Sequence, residues 1–311
     1  MKIPRFLRAL GELRDDTIRP NAYSSLRAPS PLGGYYIRLD GIVRRNAQLL
    51  DNGIPVRTCR STGTTYHNPV TICFYALDIW DLCLDDESAV LRSQFLKIAD
   101  WLVEHNKEGT WPYAIAVPRY ATQNGWKSAM AQGLAISVLC RAYSWTKAHR
   151  YLDLALQSAD VASRAIVAGG CSSFDANGLP FLEEVAVEPA AHILNGAVFA
   201  QWGFFDLGHL TDAFRPFLRQ SVARLAQDVP SFDLGYWSTY DSIHRSPARR
   251  SYHILHIEQM RTMHRMTGMP VFGQYAERWT HDMRMPIHAV RALAVKACSV
   301  FKEAHQGPCG I

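Results

Sequence analysis

The segments SAMAQGLAISVL (residues 128–139) and HILNGAVFAQWGFF (residues 192–205) decide the fold. Apolar residues recur in both every three or four positions, the period of a helix. A surface helix would place Lys and Glu on its outward face. Here those positions hold Gly, Gln, Asn and His, so both helices are predicted to be buried on all sides. By contrast, AHRYLDLALQSAD (148–160) alternates an apolar and a polar face and reads as an ordinary amphipathic helix.

The same alternation runs along the chain from about residue 66. Helices of the first kind are expected to begin near Asn68, Ser128, Ala190 and Ser251, a spacing of roughly 60 residues, each followed by an amphipathic partner. A last helix is expected from about Pro286 to Phe301. Alternating inner and outer helices describe a mainly α fold, an incomplete α/α toroid in which inner helices ring a cavity and outer helices clothe it. Strand-like alternation is confined mainly to residues 34–60, with DNG at 51–53 as a turn. The expected division is a basic arm with short strands over residues 1–65 and a helical barrel over 66–311.

Composition narrows the function. With 48% hydrophobic and 20% charged residues, the 311-residue chain has material for one large core. It has no run of about 18 apolar residues that would span a membrane. Its start, MKIPRFLRALGELRDD, lacks the apolar region of a signal peptide, so a cytoplasmic location is expected. Seven cysteines without a CxxC spacing read as reduced thiols. The net charge is +5, and HRSPARR (244–250) adds a local basic cluster. Basic surface favours polyanions, whether nucleic acid, anionic lipid or an acidic polysaccharide; no nucleic-acid-binding motif accompanies it, and charge alone does not choose among them.

No G-x-G-x-x-G, P-loop or HExxH is present. His253 and His256 have the spacing of two metal ligands but lack an evident third. No metal or cofactor is therefore expected. The stretch GLPFLEEVAVEPAAHILNG (178–196) puts Glu183 and Glu184 just before an inner helix, and Tyr240 and Tyr252 occupy the corresponding place one repeat later. Loops entering inner helices open on one end of a toroid, where helix N-termini suit anionic ligands. Acids, tyrosines, tryptophans and arginines at such a mouth suit a sugar acid. They also suit removal of a proton beside a carboxylate, which needs a base and neutralisation of the developing charge.

At these residues the sequence resembles the D-glucuronyl C5-epimerases of heparan sulfate and related polysaccharides. The resemblance rests on WKSAMAQGLAISVLCRAYSWTKAHRYLDLA (126–155) and GLPFLEEVAVEPAAHILNGAVFAQWGFFDL (178–207), with YHNPVTICFYALDIWD (66–81), WPYAIAVPR (111–119), STYD (238–241) and YHILHIEQM (252–260) in the same order. It implies inversion at C5 of uronate residues in an acidic polysaccharide, and a homodimer. It also implies proton transfer by Glu184 and Tyr252 with Tyr240 assisting, Glu183 supporting, and Arg119 holding a carboxylate. Asn195, Gln132 and His256 are polar inner-helix candidates for lining the cleft. Trp126, Tyr66 and Arg245 are further candidate substrate contacts. Val185, Leu182 and Ile243 stand where the family carries Tyr, Tyr and Arg. Two other readings stay open: a uronate lyase on the same architecture, and an inactive glycan-binding module.

Overall fold

The structure is a computed structural model that describes residues 19–20, 32–38, 47–59, 62–85 and 88–304. Its short strands form three antiparallel sheets. β1 (Arg19–Pro20) pairs with β2 (Ile37–Arg38). β3 (Gln48–Leu49), β4 (Pro55–Thr58) and β5 (Thr65–Tyr66) follow one another, and β6 (Ser172–Phe174) pairs with β7 (Pro180–Leu182). Four helical hairpins follow the sequence pattern: α1 (Pro69–Asp85) with α2 (Ala89–Glu104), α3 (Ala129–Thr146) with α4 (His149–Ser163), α5 (Leu194–Gly208) with α6 (Arg215–Asp228), and α7 (Arg250–Thr267) with α8 (Pro270–Arg284). A further helix, α9 (Pro286–Ala304), closes the described chain.

Burial sorts the helices as expected. Every residue from Ala129 to Ala142 of α3 is buried, as is every residue from Leu194 to Phe204 of α5. On α4 only a stripe is buried, including Tyr151, Leu154, Ala155, Ser158 and Ala162, the one-faced pattern of an outer helix. The inner helices pack in sequence, α1 on α3, α3 on α5 and α5 on α7, whereas α1 and α7 share no comparable interface. The inner ring is open there. Among the described residues, no helix is long and apolar enough to cross a membrane.

α3 and α5 approach closely because two glycines permit it. A Cβ on Gly133 would lie 2.4 Å from Ala200 Cα, and one on Gly203 would lie 2.2 Å from the Gly133 carbonyl oxygen. Both obstacles are backbone, so no rotamer change relieves them. Further along, Arg141 of α3 and Asp206 of α5 form an ion pair at 2.6 Å with both side chains fully buried. The Tyr36 hydroxyl donates to Asp206 at 3.0 Å, the Trp80 indole donates to the Gly33 carbonyl at 2.9 Å, and the Tyr35 amide donates to Asp81 at 2.8 Å. The segment 32–38 thereby seals this end of the barrel.

Two sequence expectations are corrected. The third inner helix starts at Leu194 rather than near Ala190, because Ile193 caps it in an extended conformation and His192 has φ 46°. The β6–β7 hairpin lies outside the predicted strand region. Its turn is built on Asp175, whose carboxylate accepts from the Asn177 and Leu179 amides, with Gly178 at φ 75°.

Gly133→Ala and Gly203→Ala should each destabilise the protein by about 1–3 kcal/mol or more through overpacking. Gly208→Ala, at the end of α5 with nothing within 4 Å of its added Cβ, should be neutral or stabilising by under about 1 kcal/mol. Urea unfolding of the three variants checks this, and a Gly133→Ala protein as stable as wild type would contradict it.

Candidate active site

The loop after β7 ties the starts of two inner helices together. The Glu183 amide donates to the Cys171 carbonyl and its carbonyl accepts from Ala129, the first amide of α3, both at 2.8 Å. The Leu194 amide at the start of α5 donates to the Tyr240 carbonyl at 3.3 Å. Tyr252 lies in the first turn of α7. Glu184, Tyr240 and Tyr252 therefore meet at the end of the barrel onto which the N-termini of α3, α5 and α7 open.

The adjacent acids part company. Glu183 turns inward and is fully buried. Its carboxylate accepts from the Ser173 hydroxyl at 2.6 Å and the His192 amide at 2.9 Å, and pairs with His192 Nδ1 at 2.5 Å. Glu184 lies instead across the first turn of α5. A Cβ on Gly196 would fall 2.3 Å from both its Cβ and its Oε2, so this position admits only glycine while Glu184 stays where it is. The Asn195 amide donates to Glu184 at 3.2 Å and the Tyr240 hydroxyl donates at 3.4 Å. Burial pushes the Glu184 carboxyl up to about 7, against the opposing pull of these two donors.

Tyr240 and Tyr252 meet edge to face, with ring centroids 4.9 Å apart. Burial and the Glu184 charge raise both hydroxyls above the usual phenol range, keeping them protonated. Tyr113, unnoticed within WPYAIAVPR, stacks on Trp126 at 3.9 Å and senses the Glu184 charge. Its strand-like bridge to Trp126 has no periodicity that would have singled it out. Tyr120 and Asp241 were also missed: the Tyr120 hydroxyl donates to Asp241 at 2.8 Å.

Several expected substrate contacts have other partners. Arg119 donates to the fully buried Asp241 carboxylate at 3.2 Å and also reaches His244 and Ser246, so it clasps two loops together. Arg245 is exposed and donates to the Ser231 carbonyl at 2.8 Å. Gln132 is buried and faces outward, donating to the Gly109 carbonyl at 2.6 Å and to Ser158 of α4 at 2.9 Å. His256 is buried one turn below Tyr252. Its Nδ1 and that of His253 both lie 2.8 Å from the Ser238 hydroxyl. Burial lowers both imidazoles to about 3, so they are neutral near pH 7. Glu183 has its three donors inside the loop and none in the cleft. Asn195 does reach the site, through Glu184. Trp126 and Tyr66 are half-buried, and Tyr66 acts electrostatically on Tyr113. Val185 is 3% exposed and packs with Ala191 and Ile193 under Tyr240, whereas Ile243 is 49% exposed. A surface groove of about 750 Å³ on the outer face of α2, lined by Arg92, Trp101 and His105, contains none of these residues. Among the described residues, no group of three His, Cys, Asp or Glu side chains could hold a metal ion.

The raised Glu184 carboxyl fixes a pH dependence of stability. Between its unfolded value of 4.5 and its folded value of about 7 the folded state binds more protons, so stability falls as pH rises through that window. Glu184→Gln removes this penalty. The variant should equal wild type below pH 4.5 and exceed it above pH 7 by on the order of 3 kcal/mol. Denaturation midpoints at pH 4 and pH 8 check the sign, and a variant less stable than wild type at pH 8 would contradict it.

The pattern of the family described as "D-glucuronyl C5-epimerase C-terminus" matches residues 105–281, which contain Glu184, Tyr240 and Tyr252. The chain is 29% identical to the D-glucuronyl C5-epimerase of Caenorhabditis elegans over 210 residues, 60% of this chain and 34% of that protein. It is 27% identical to the uncharacterized protein MJ1128 of Methanocaldococcus jannaschii over 176 residues, 54% of this chain and 56% of that one. The chain thus spans about a third and about half of the length of these relatives. Its fold resembles the cellobiose 2-epimerase from Spirochaeta thermophila, with a TM-score of 0.53 at 10% identity, covering 78% of this chain and 65% of that one. With more than half of its length matched, including the site just described, the chain belongs to the D-glucuronyl C5-epimerase C-terminal family.

Proposed function

We propose that this protein inverts C5 of uronate residues, D-glucuronate to L-iduronate, in an acidic polysaccharide without a cofactor. The observation that carries the reading is the Glu184–Tyr240–Tyr252 string: one carboxylate poised near neutrality and hydrogen-bonded to Tyr240, on which Tyr252 packs edge to face, with both tyrosines held protonated. Glu184 as carboxylate takes the C5 proton, and the electron pair left behind spreads into the neighbouring carboxyl group. Tyr252 returns a proton to C5 from the opposite face and becomes a phenolate. Tyr240 stands between the two, bonded to Glu184 and packed edge to face on Tyr252. It passes its own proton to Tyr252 and takes the one held by Glu184, which resets the site. The reading takes the division into a 1–65 arm and a 66–311 catalytic barrel, a cytoplasmic location and a homodimer from the sequence expectation.

Solvent-deuterium incorporation at C5 of heparosan and other uronate polymers tests this. Wild type should exchange, with a rate that rises with pH through about 7 as Glu184 ionises. Glu184→Gln and Tyr252→Phe should lower exchange by about 100-fold or more while binding persists. Glu183→Gln, which removes a buried acceptor, should chiefly lower stability. Binding without exchange in wild type would contradict the reading. So would a product absorbing as an unsaturated uronate, the signature of a lyase.

A further inference from the structure

Abstraction beside a carboxylate demands a cation on that carboxylate, since the enolate-like state would otherwise carry two negative charges next to Glu184. Arg119, the guanidinium expected to supply it, is held on Asp241. A different one acts on Tyr252. Arg57 lies on β4 directly across from Tyr66 on β5, so the two side chains share one face of the hairpin. Tyr66 acts electrostatically on Tyr113, which in turn senses Glu184. Arg57 itself acts on the Tyr252 hydroxyl as a neighbouring positive charge, together with Arg249 at the N-cap of α7. β4 packs on α1, and α1 and α7 are the inner helices between which the ring is open. β5 runs directly into the start of α1, so the hairpin lies at the end of the barrel onto which the inner helices open.

Arg57 also has the chemistry of an unspent binder. It is exposed, and among the described residues no acid pairs with it. A guanidinium matches a carboxylate with two parallel hydrogen bonds, which a lysine cannot reproduce. The first turn of α7 and Arg249 add positive potential at the same place.

We propose that Arg57, delivered by the β4–β5 hairpin, is the residue that grips the carboxylate of the sugar being processed, holding it beside Tyr252 at the N-terminus of α7. This assignment rests on the uronate reading above. It makes the β4–β5 hairpin a working wall of the site and gives Arg119 a positioning role.

Binding of heparosan oligosaccharides, compared with the same oligosaccharides after reduction of their carboxyl groups, tests the assignment. Wild type should prefer the carboxylate form by about tenfold or more. Arg57→Gln should lose most of that preference while binding the reduced form within about twofold of wild type, and Arg57→Lys should recover only part of it. The exposed position makes misfolding an improbable cause, and an unchanged unfolding midpoint excludes it. An Arg57→Gln protein that keeps the wild-type preference overturns the assignment. If wild type exchanges C5 deuterium and Arg57→Gln exchanges equally well, this inference fails alone. If wild type binds the carboxylate form with the predicted preference but exchanges nothing, the epimerase reading fails and the binding role of Arg57 stands.

Discussion

The contact on which the rest depends is the backbone-to-backbone crossing of α3 and α5 at Gly133, Ala200 and Gly203. Without side chains between them, the two inner helices meet backbone to backbone. That closeness brings their N-termini near enough for one short loop to serve both. The loop is the segment after β7, whose Glu183 carbonyl takes the first amide of α3 and whose Glu184 side chain lies over the first turn of α5. A wider crossing would pull these two anchors apart. The buried Arg141–Asp206 pair fastens the same two helices near their other ends, beneath the segment that holds Tyr35 and Tyr36.

Within that frame, two carboxylates of identical chemistry acquire opposite characters. Glu183 has three donors and serves as an internal brace for the loop. Glu184 has two longer hydrogen bonds and a largely desolvated carboxyl, so its charge is costly and its proton affinity high. The glycine at 196 is what lets the second carboxylate sit on the helix start at all. Asp241 is handled as Glu183 is, held by its own partners: Arg119 pairs with it and the Tyr120 hydroxyl donates to it. Glu184, with no cation beside it among the described residues, is left poised to accept a proton near pH 7.

Much of this was legible in the sequence. The absence of Lys and Glu from SAMAQGLAISVL and HILNGAVFAQWGFF announced inner helices, because a helix buried all round has no place for solvated charge. The resemblance drew Glu184, Tyr240 and Tyr252 together although 68 residues separate the first from the last. What stayed hidden has physical reasons. A polar residue on an inner helix can face the cleft or an outer helix, and the 3.6-residue period does not say which; Gln132 proved to face α4. An arginine's sequence position does not reveal what it is bonded to, and Arg119 proved to be bonded to Asp241. The strands β6 and β7 are three residues each, too short to show alternation, and only the ANG turn at 176–178 signalled them.

The account turns on a carboxyl whose proton affinity is raised by its surroundings, and that is directly observable. Carbon-13 NMR of protein labelled at the glutamate side-chain carboxyl, followed from pH 3 to pH 9, should show one resonance titrating near 7, and that resonance should vanish in Glu184→Gln. If every glutamate titrates below pH 5, or if the signal near 7 survives in Glu184→Gln, Glu184 is not the poised base and the account fails.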